Sequence, residues 1–229
     1  MVKQELEVSD PYQNFKNKHI KLAQKIFPEV KKHIENSSDP IKAALIMSAI
    51  GNSIDSGIEL NINVKKAVKA GINSVFTLNN YKYFKDRLKK VDDLLIIGDN
   101  SGEAVFDKLL IEEIKKGLNI KVIYAVRSEP VLNDITLKEA KKIKLDEVCQ
   151  IIDSGSKAPG LLLEEANPEF KKIFNNSDLI LSKGQGNFES LSEINPKNVF
   201  YLLKAKCDVI ADAFEVKPGS LILKSVNTL

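Results

Sequence analysis

A chain of 229 residues can bury one ordinary core with a smaller appendage, so one main domain is expected. Its 34 basic residues face 31 acidic ones with no long block of one sign, which argues against an electrostatic nucleic-acid footprint. Cys149 and Cys207, far apart, exclude a disulfide framework, and the absence of any run of about 18 apolar residues or of a leader-like start leaves no membrane partner: a soluble, cytoplasmic protein is expected, binding any metal through oxygen.

From Asp10 to about Ala70 the pattern is helical: Phe15, Ile20, Leu22, Ala23, Ile26 and Phe27, then Val30 and Ile34, recur near the 3.6-residue period. Pro11 after Asp10 and Pro40 after Asp39 are helix-start signals, since proline at the first helical position lacks a donor that would go unused. Ile41 to Ile50 is apolar almost all round and reads as a buried helix running into Gly51-Asn52-Ser53-Ile54-Asp55. An unpaired buried polar group costs about 1 to 3 kcal/mol, so Asn52 and Asp55 face a cap, water or a site. Short helices are expected at Asn63 to Lys69 and Tyr81 to Lys90.

The α/β part follows. Leu94 to Gly98 reads as a strand, Gly102 to Lys116 as a helix with Phe106, Leu109, Leu110 and Ile114 inward, and Ile120 to Val126 as a second strand. Near-continuous apolar strands are what a parallel sheet covered on both faces requires. Further strands are expected at Val148 to Ile152, Leu179 to Ser182, Val199 to Leu203 and Leu221 to Leu223, the last with an antiparallel edge position open. The expectation is an α/β fold: a three-layer α/β/α sandwich on a mostly parallel, Rossmann-like sheet of six strands, with residues 1–75 a helical N-terminal region and 76–229 the α/β/α domain.

In such sheets ligands bind outside the carboxyl ends of the strands, and helix N-termini there favour anions. The first strand ends in Gly98-Asp99-Asn100-Ser101-Gly102-Glu103, where a carboxylate beside an amide offers oxygen ligands to a hard cation or, alternatively, an ordinary turn cap. The second ends in Arg127-Ser128-Glu129-Pro130-Val131-Leu132-Asn133-Asp134-Ile135-Thr136. Asp134 can complete a site with Asp99 and Asn100, or Asn133 and Asp134 can cap the next helix. All but two of the basic residues are lysines, and one exception, Arg127, can grip a phosphate by two hydrogen bonds or form an ion pair. The third strand leads into Asp153-Ser154-Gly155 and Ala158-Pro159-Gly160, the fourth into Lys183-Gly184-Gln185-Gly186-Asn187-Phe188-Glu189. Neither fits a P-loop or the spaced glycines of a dinucleotide fold, so each is a tight turn or an anion cradle with Lys183 as counter-charge.

Taken together, Gly98 to Glu103 with Phe106-Asp107, Arg127 to Thr136, and Lys183 to Glu189 resemble the DUF89 family of metal-dependent damage-control phosphatases. Asp10-Pro11-Tyr12, the Gly51 to Asp55 element, Asp153-Ser154-Gly155 with Pro159-Gly160, and Lys204-Ala205-Lys206-Cys207 extend the likeness to its short microbial, ARMT1-like branch, over nearly the whole chain. One departure is clear: many relatives carry a Cys-x-x-Cys segment before the first helix, and here no cysteine precedes Cys149.

The resemblance implies a divalent metal (Mg²⁺, Mn²⁺, Co²⁺ or Ni²⁺) held by Asp99, Asn100 and Asp134, and hydrolysis of phosphate monoesters of small metabolites such as sugar phosphates, phosphopantetheine compounds or damaged metabolites. In this expectation Asp99, Lys183 and Asn187 are catalytic. Lys183, the Gly184 to Asn187 backbone with Gly186, and Arg127 bind the phosphoryl group. Asn52, Asp55 and Ser154 shape the substrate side and Glu189 orients polar groups, while water is preferred to Asp99 as nucleophile because no Asp-x-Asp follows the first strand. Two alternatives stand beside it: an S-adenosylmethionine-dependent carboxyl methyltransferase, weakened by the lack of a Gly-rich cofactor loop, and a non-catalytic metal- and phosphometabolite-binding protein.

Overall fold

The computed structural model describes residues 9–51, 71–194 and 198–225. Asn52, Asp55 and the helix expected at Asn63 to Lys69 lie outside the described residues. In chain order the elements are α1 Gln13–Glu35, α2 Pro40–Gly51, β1 Phe76–Asn79, α3 Tyr81–Leu88, β2 Asp93–Ile97, α4 Ala104–Gly117, β3 Lys121–Val126, α5 Leu137–Lys142, β4 Gln150–Asp153, α6 Pro168–Asn176, β5 Ile180–Lys183, α7 Gln185–Ser192, β6 Val199–Lys204, α8 Asp208–Ala213 and β7 Leu221–Ser225.

The seven strands form one sheet in the order β1-β7-β6-β5-β2-β3-β4. Neighbours run parallel except β6 and β7, whose register pairs Leu202 with Leu223. The terminal strand is therefore antiparallel to its neighbour but is not an edge, because β1 pairs along its outer side. A seventh strand was not expected. Phe76-Thr77-Leu78-Asn79 alternates apolar and polar residues, but over only four positions, and only Phe76 in it is fully buried, so the signal is at the lower limit of length for a strand. The strand expected from Val148 starts instead at Gln150, since Val148 closes a turn with its N–H on the Leu145 carbonyl.

Strand residues alternate between two cores, as the two-residue pleat demands. Leu94, Ile96, Val122, Tyr124, Leu181 and Leu202 face one way, onto α1, α2, α3 and α4. Leu95, Ile97, Ile123, Ala125, Ile180 and Leu203 face the other, onto α6, α7 and α8. This is the three-layer arrangement. Helix α1 buries a single stripe, Ile20, Ala23, Ile26, Val30 and Ile34, and Pro28 falls on its exposed side. Helix α2 is buried from Ala43 to Gly51 and packs against α4, so the described N-terminal helices share one core with the sheet. The close fit of α2 needs Gly51, where a Cβ would lie 2.7 Å from the Phe106 ring.

Candidate active site

The carboxyl ends of β2, β3, β4, β5 and β6 meet at one edge of the sheet, where a cleft of about 250 Å³ opens. Its walls are Asp99, Asn100, Leu132, Asn133, Asp134, Pro159, Gly160, Gln185, Gly186 and Lys206. Two turns are stitched together to make the acidic wall. The Ile135 N–H donates to the Asp99 carbonyl at 2.8 Å, the Ser101 N–H to the Asn133 carbonyl at 2.9 Å, and Asn100 and Asp134 form an isolated antiparallel bridge. The side chains continue the linkage: Asn133 Nδ2 donates to Asn100 Oδ1 at 2.6 Å, and Asn100 Nδ2 to Asp99 Oδ2 at 2.9 Å.

The capping alternatives resolve here. Helix α5 is capped by Thr136, whose N–H and Oγ1 both donate to Glu139 Oε2, so neither Asn133 nor Asp134 fills that position. Glu103, not Asp99 or Asn100, stands at the N-cap position of α4. Both turns thus present their side chains to the cleft instead of to a helix end.

Behind Asp134 lies Arg127, almost wholly buried. Its Nε donates to Asp134 Oδ2 at 2.9 Å and its Nη2 to Asn187 Oδ1 at 2.7 Å. Asn187 in turn donates to the carbonyls of Gly98, at 3.0 Å, and Lys183, at 2.7 Å. One buried relay therefore joins the ends of β2, β3 and β5. Burial pushes the Asp134 carboxyl up to about 7, and the nearby charge of Asp99 adds to the rise, while Arg127 and then Lys16 work against it.

Lys183 is placed elsewhere than expected. Its ammonium is fully buried, bonded to Glu103 and, at 2.7 Å, to Asp107 Oδ1, and it does not line the cleft. Asp107 also accepts from Ser48 Oγ at 2.6 Å and Tyr124 OH at 2.7 Å. Burial alone would lower the Lys183 pKa, but Asp107 and Glu103 together raise it. Glu103 is pushed up to about 8 by burial, with the Lys183 charge opposing and those of Asp107 and Asp99 reinforcing the shift. A lysine at a strand end reads from sequence as a phosphate ligand. Two carboxylates, Glu103 at the N-cap position of α4 and Asp107 in its first turn, claim it instead, because a buried ammonium must be paired.

Of the other expected site residues, Gly186 lines the cleft and Gly184 supports it from beneath. Gly184 has φ +78°, and a Cβ there would stand 1.9 Å from Asp99 Oδ2, so only glycine lets the β5 turn pass under that carboxylate. Ser154 is buried under the β4 turn, its Oγ accepting the Ser156 N–H, and Glu189 is exposed on α7; neither lines the cleft. Sequence reasoning missed Leu132 and Lys206 as cleft residues and expected only the backbone of Gln185 there. Lys206 was legible only as part of the Lys204 to Cys207 likeness. Gln185 holds it, accepting the Lys206 N–H on Oε1 at 2.6 Å.

Residues 1–222 match the family model described as the damage-control phosphatase ARMT1-like domain. An uncharacterized protein of Methanocaldococcus jannaschii is 36% identical over 94% of this chain and 73% of its own length. A damage-control phosphatase of Pyrococcus horikoshii is 33% identical over 93% and 74%, and one of Archaeoglobus fulgidus 31% identical over 97% and 78%. The crystal structure of a DUF89 family protein from Pyrococcus horikoshii superposes with a TM-score of 0.88 at 32% identity, covering 97% of this chain and 78% of that one. The chain belongs to the DUF89 family, with the damage-control phosphatase ARMT1-like domain as its fold.

Proposed function

We propose that this chain is a divalent-metal-dependent phosphatase acting on phosphate monoesters of small metabolites, sugar phosphates among them. The observation that carries the reading is the meeting of the Asp99 and Asp134 carboxylates and the Asn100 amide in one cleft, opposite the start of α7 and Lys206. The donor set fits a hard cation: its donors are oxygens from two carboxylates and an amide, and the two carboxylates lie close enough for one to raise the pKa of the other. Asp99, Asn100 and Asp134 hold the ion in this reading, and when bound it stabilises negative charge on a phosphoryl group as a Lewis acid.

The chain's own groups supply the rest. With Arg127 and Lys183 committed to buried carboxylates, Lys206 is, among the described residues, the exposed cation of the cleft and binds phosphoryl oxygens together with the backbone N–H groups that open α7. Leu132 and Pro159 give the wall an apolar surface for a carbon skeleton, and the small volume selects a compact substrate. Water attacks phosphorus in line with the ester oxygen; a new P–O bond forms, the ester P–O bond breaks, and the alcohol departs with a proton. Asp99 serves as a ligand and not as the nucleophile, since its Oδ2 accepts the Asn100 amide and lies against Gly184.

The test is phosphate release from an aryl phosphate and a panel of sugar phosphates by chelated protein, with and without Mg²⁺, Mn²⁺, Co²⁺ or Ni²⁺. Metal-restored turnover is expected, and Asp99→Ala should cost at least the ~100-fold that marks the upper range for residues merely supporting a ligand. Full activity in Asp99→Ala, or turnover indifferent to chelation, overturns the reading.

A further inference from the structure

The proposed metal wall is built from two turns, and a third element, the first helix, touches both. On one side, His19 of α1 packs against the Gly98 to Gly102 turn, where a Cβ on Gly102 would come 3.1 Å from the His19 Cβ. On the other side, one helical turn earlier, Lys16 is fully buried, its Nζ 3.1 Å from Asp10 Oδ2 and 3.7 Å from Glu139 Oε2. Gln13 adds a hydrogen bond from Nε2 to Glu139 Oε1 at 3.1 Å. Glu139 Oε2 is the same oxygen that accepts the Thr136 N–H at 3.2 Å and its Oγ1 at 2.5 Å. Thr136 lies two residues beyond Asp134, and between them Ile135 carries the N–H that binds the Asp99 carbonyl and the carbonyl that accepts the Arg127 N–H.

We propose that Lys16 is a positioning residue of the candidate active site, fixing the Asn133–Asp134 turn through Glu139 and Thr136 so that Asp134 keeps its register with Asp99. The proposal rests on the reading of Asp99, Asn100 and Asp134 as the metal-holding set. A lysine is an expensive residue to bury, and a surface helix needs none on its inner face. Its ammonium, buried without a hydrogen bond of its own among the described residues, sits as an ion-pair partner between one carboxylate from before α1 and one from α5, so its charge links two segments remote in sequence at the point where the acidic turn ends. Neither Lys16 nor Glu139 lines the cleft, so Lys16 touches no substrate there, although its charge is also felt by the Asp134 carboxyl.

The experiment compares the wild type, Lys16→Met, which keeps the stem but removes the charge, and Lys16→Arg, which keeps the charge. Amide hydrogen exchange of the metal-free protein reads the turn directly: peptides spanning residues 131–136 should exchange at least about tenfold faster in Lys16→Met, with the sheet peptides unchanged and Lys16→Arg restored toward the wild type. Mn²⁺ titration of the same proteins should show affinity lower by about tenfold in Lys16→Met, the lower range for groups that orient a metal ligand, with kcat at saturating Mn²⁺ largely retained. Unchanged exchange over 131–136, or a lower melting temperature with unaltered Mn²⁺ affinity, overturns the proposal. Wild-type protein that binds no Mn²⁺ refutes the metal reading by itself, and the exchange comparison still decides the role of Lys16.

Discussion

Replacing Lys183 by methionine separates a substrate-binding lysine from one that belongs to the scaffold. Methionine keeps most of the stem but leaves Glu103 and Asp107 buried without their cation. Removing one partner of a buried ion pair costs about 3–5 kcal/mol. The lower end applies here, since Asp107 keeps its bonds from Ser48 and Tyr124 and Glu103, already pushed up to about 8, can take up a proton. In a protein of this size each kcal/mol shifts the melting temperature by about 2–4 °C, so a fall of roughly 6–12 °C is expected by scanning calorimetry at neutral pH. KM for an aryl phosphate, measured well below the lower melting temperature, should change less than about threefold, as the loss of a group that makes no substrate contact requires. A variant that melts within about 2 °C of the wild type yet loses phosphate affinity refutes the reasoning. It would mean that the ammonium serves the substrate and not the two carboxylates.

Gly184→Ala puts a Cβ where Asp99 Oδ2 stands, at a positive φ; a displacement near 1 Å in a reacting site can cost about 100-fold, so turnover should drop by at least that while circular dichroism stays native. Near-normal turnover would show that Asp99 is free to move away without consequence. Arg127→Lys keeps a charge but loses the planar fork that reaches Asp134 and Asn187 together, and Mn²⁺ affinity measured by calorimetry should fall about 10–100-fold; an unchanged constant counts against the relay. Glu103 has a pKa raised by burial from 4.5 to about 8, so the folded protein holds a proton that the unfolded chain releases. Its contribution to stability is full below the unfolded value and is lost as pH rises through the folded one. Urea unfolding in a chelator from about pH 5 to about pH 8 should show the wild type weakening and Glu103→Gln weakening less, and parallel declines would contradict the assignment.

What the sequence revealed depended on how local each signal was. The central strands, β2, β3, β5 and β6, are apolar because helices cover both sheet faces, and that burial writes itself into contiguous residues. β1 escaped because a short strand alongside β7 needs little apolar surface of its own. Strand-end position put Asp99, Asn100 and Asp134 near the expected cleft but left a turn or helix cap open for each, and it was the likeness to the family that singled them out as a set. The destiny of Lys183 was not legible: its partners Glu103 and Asp107 lie some eighty residues away at the start of a helix whose remaining buried positions are mostly apolar, and nothing in the turn itself says which way the side chain points. The ties from Arg127 to Asn187 and from Lys16 to Glu139 span the fold in the same way and exist only once the sheet order is known.

These long-range ties also define a charge balance at the carboxyl edge. Asp99 and Asp134 meet in the cleft, Glu103 and Asp107 lie directly behind, and among the described residues two buried cations, Arg127 and Lys183, pair with these carboxyl groups while the Lys16 charge also reaches Asp134. Burial first, and the neighbouring carboxylates after it, favour the neutral forms here, and Glu103 and Asp134 both hold their protons more tightly than free carboxyls do. A divalent ion in the proposed position would take the place of the proton on Asp134, and proton release on metal binding is the expected companion of such a site. The cations are spent where they fix geometry, on the arms of β3 and β5, and the residual negative charge is left facing the opening. An anionic substrate would be repelled by that face alone, which is why the reading joins the acidic wall to Lys206 and the N-terminus of α7 on the opposite side of the same cleft.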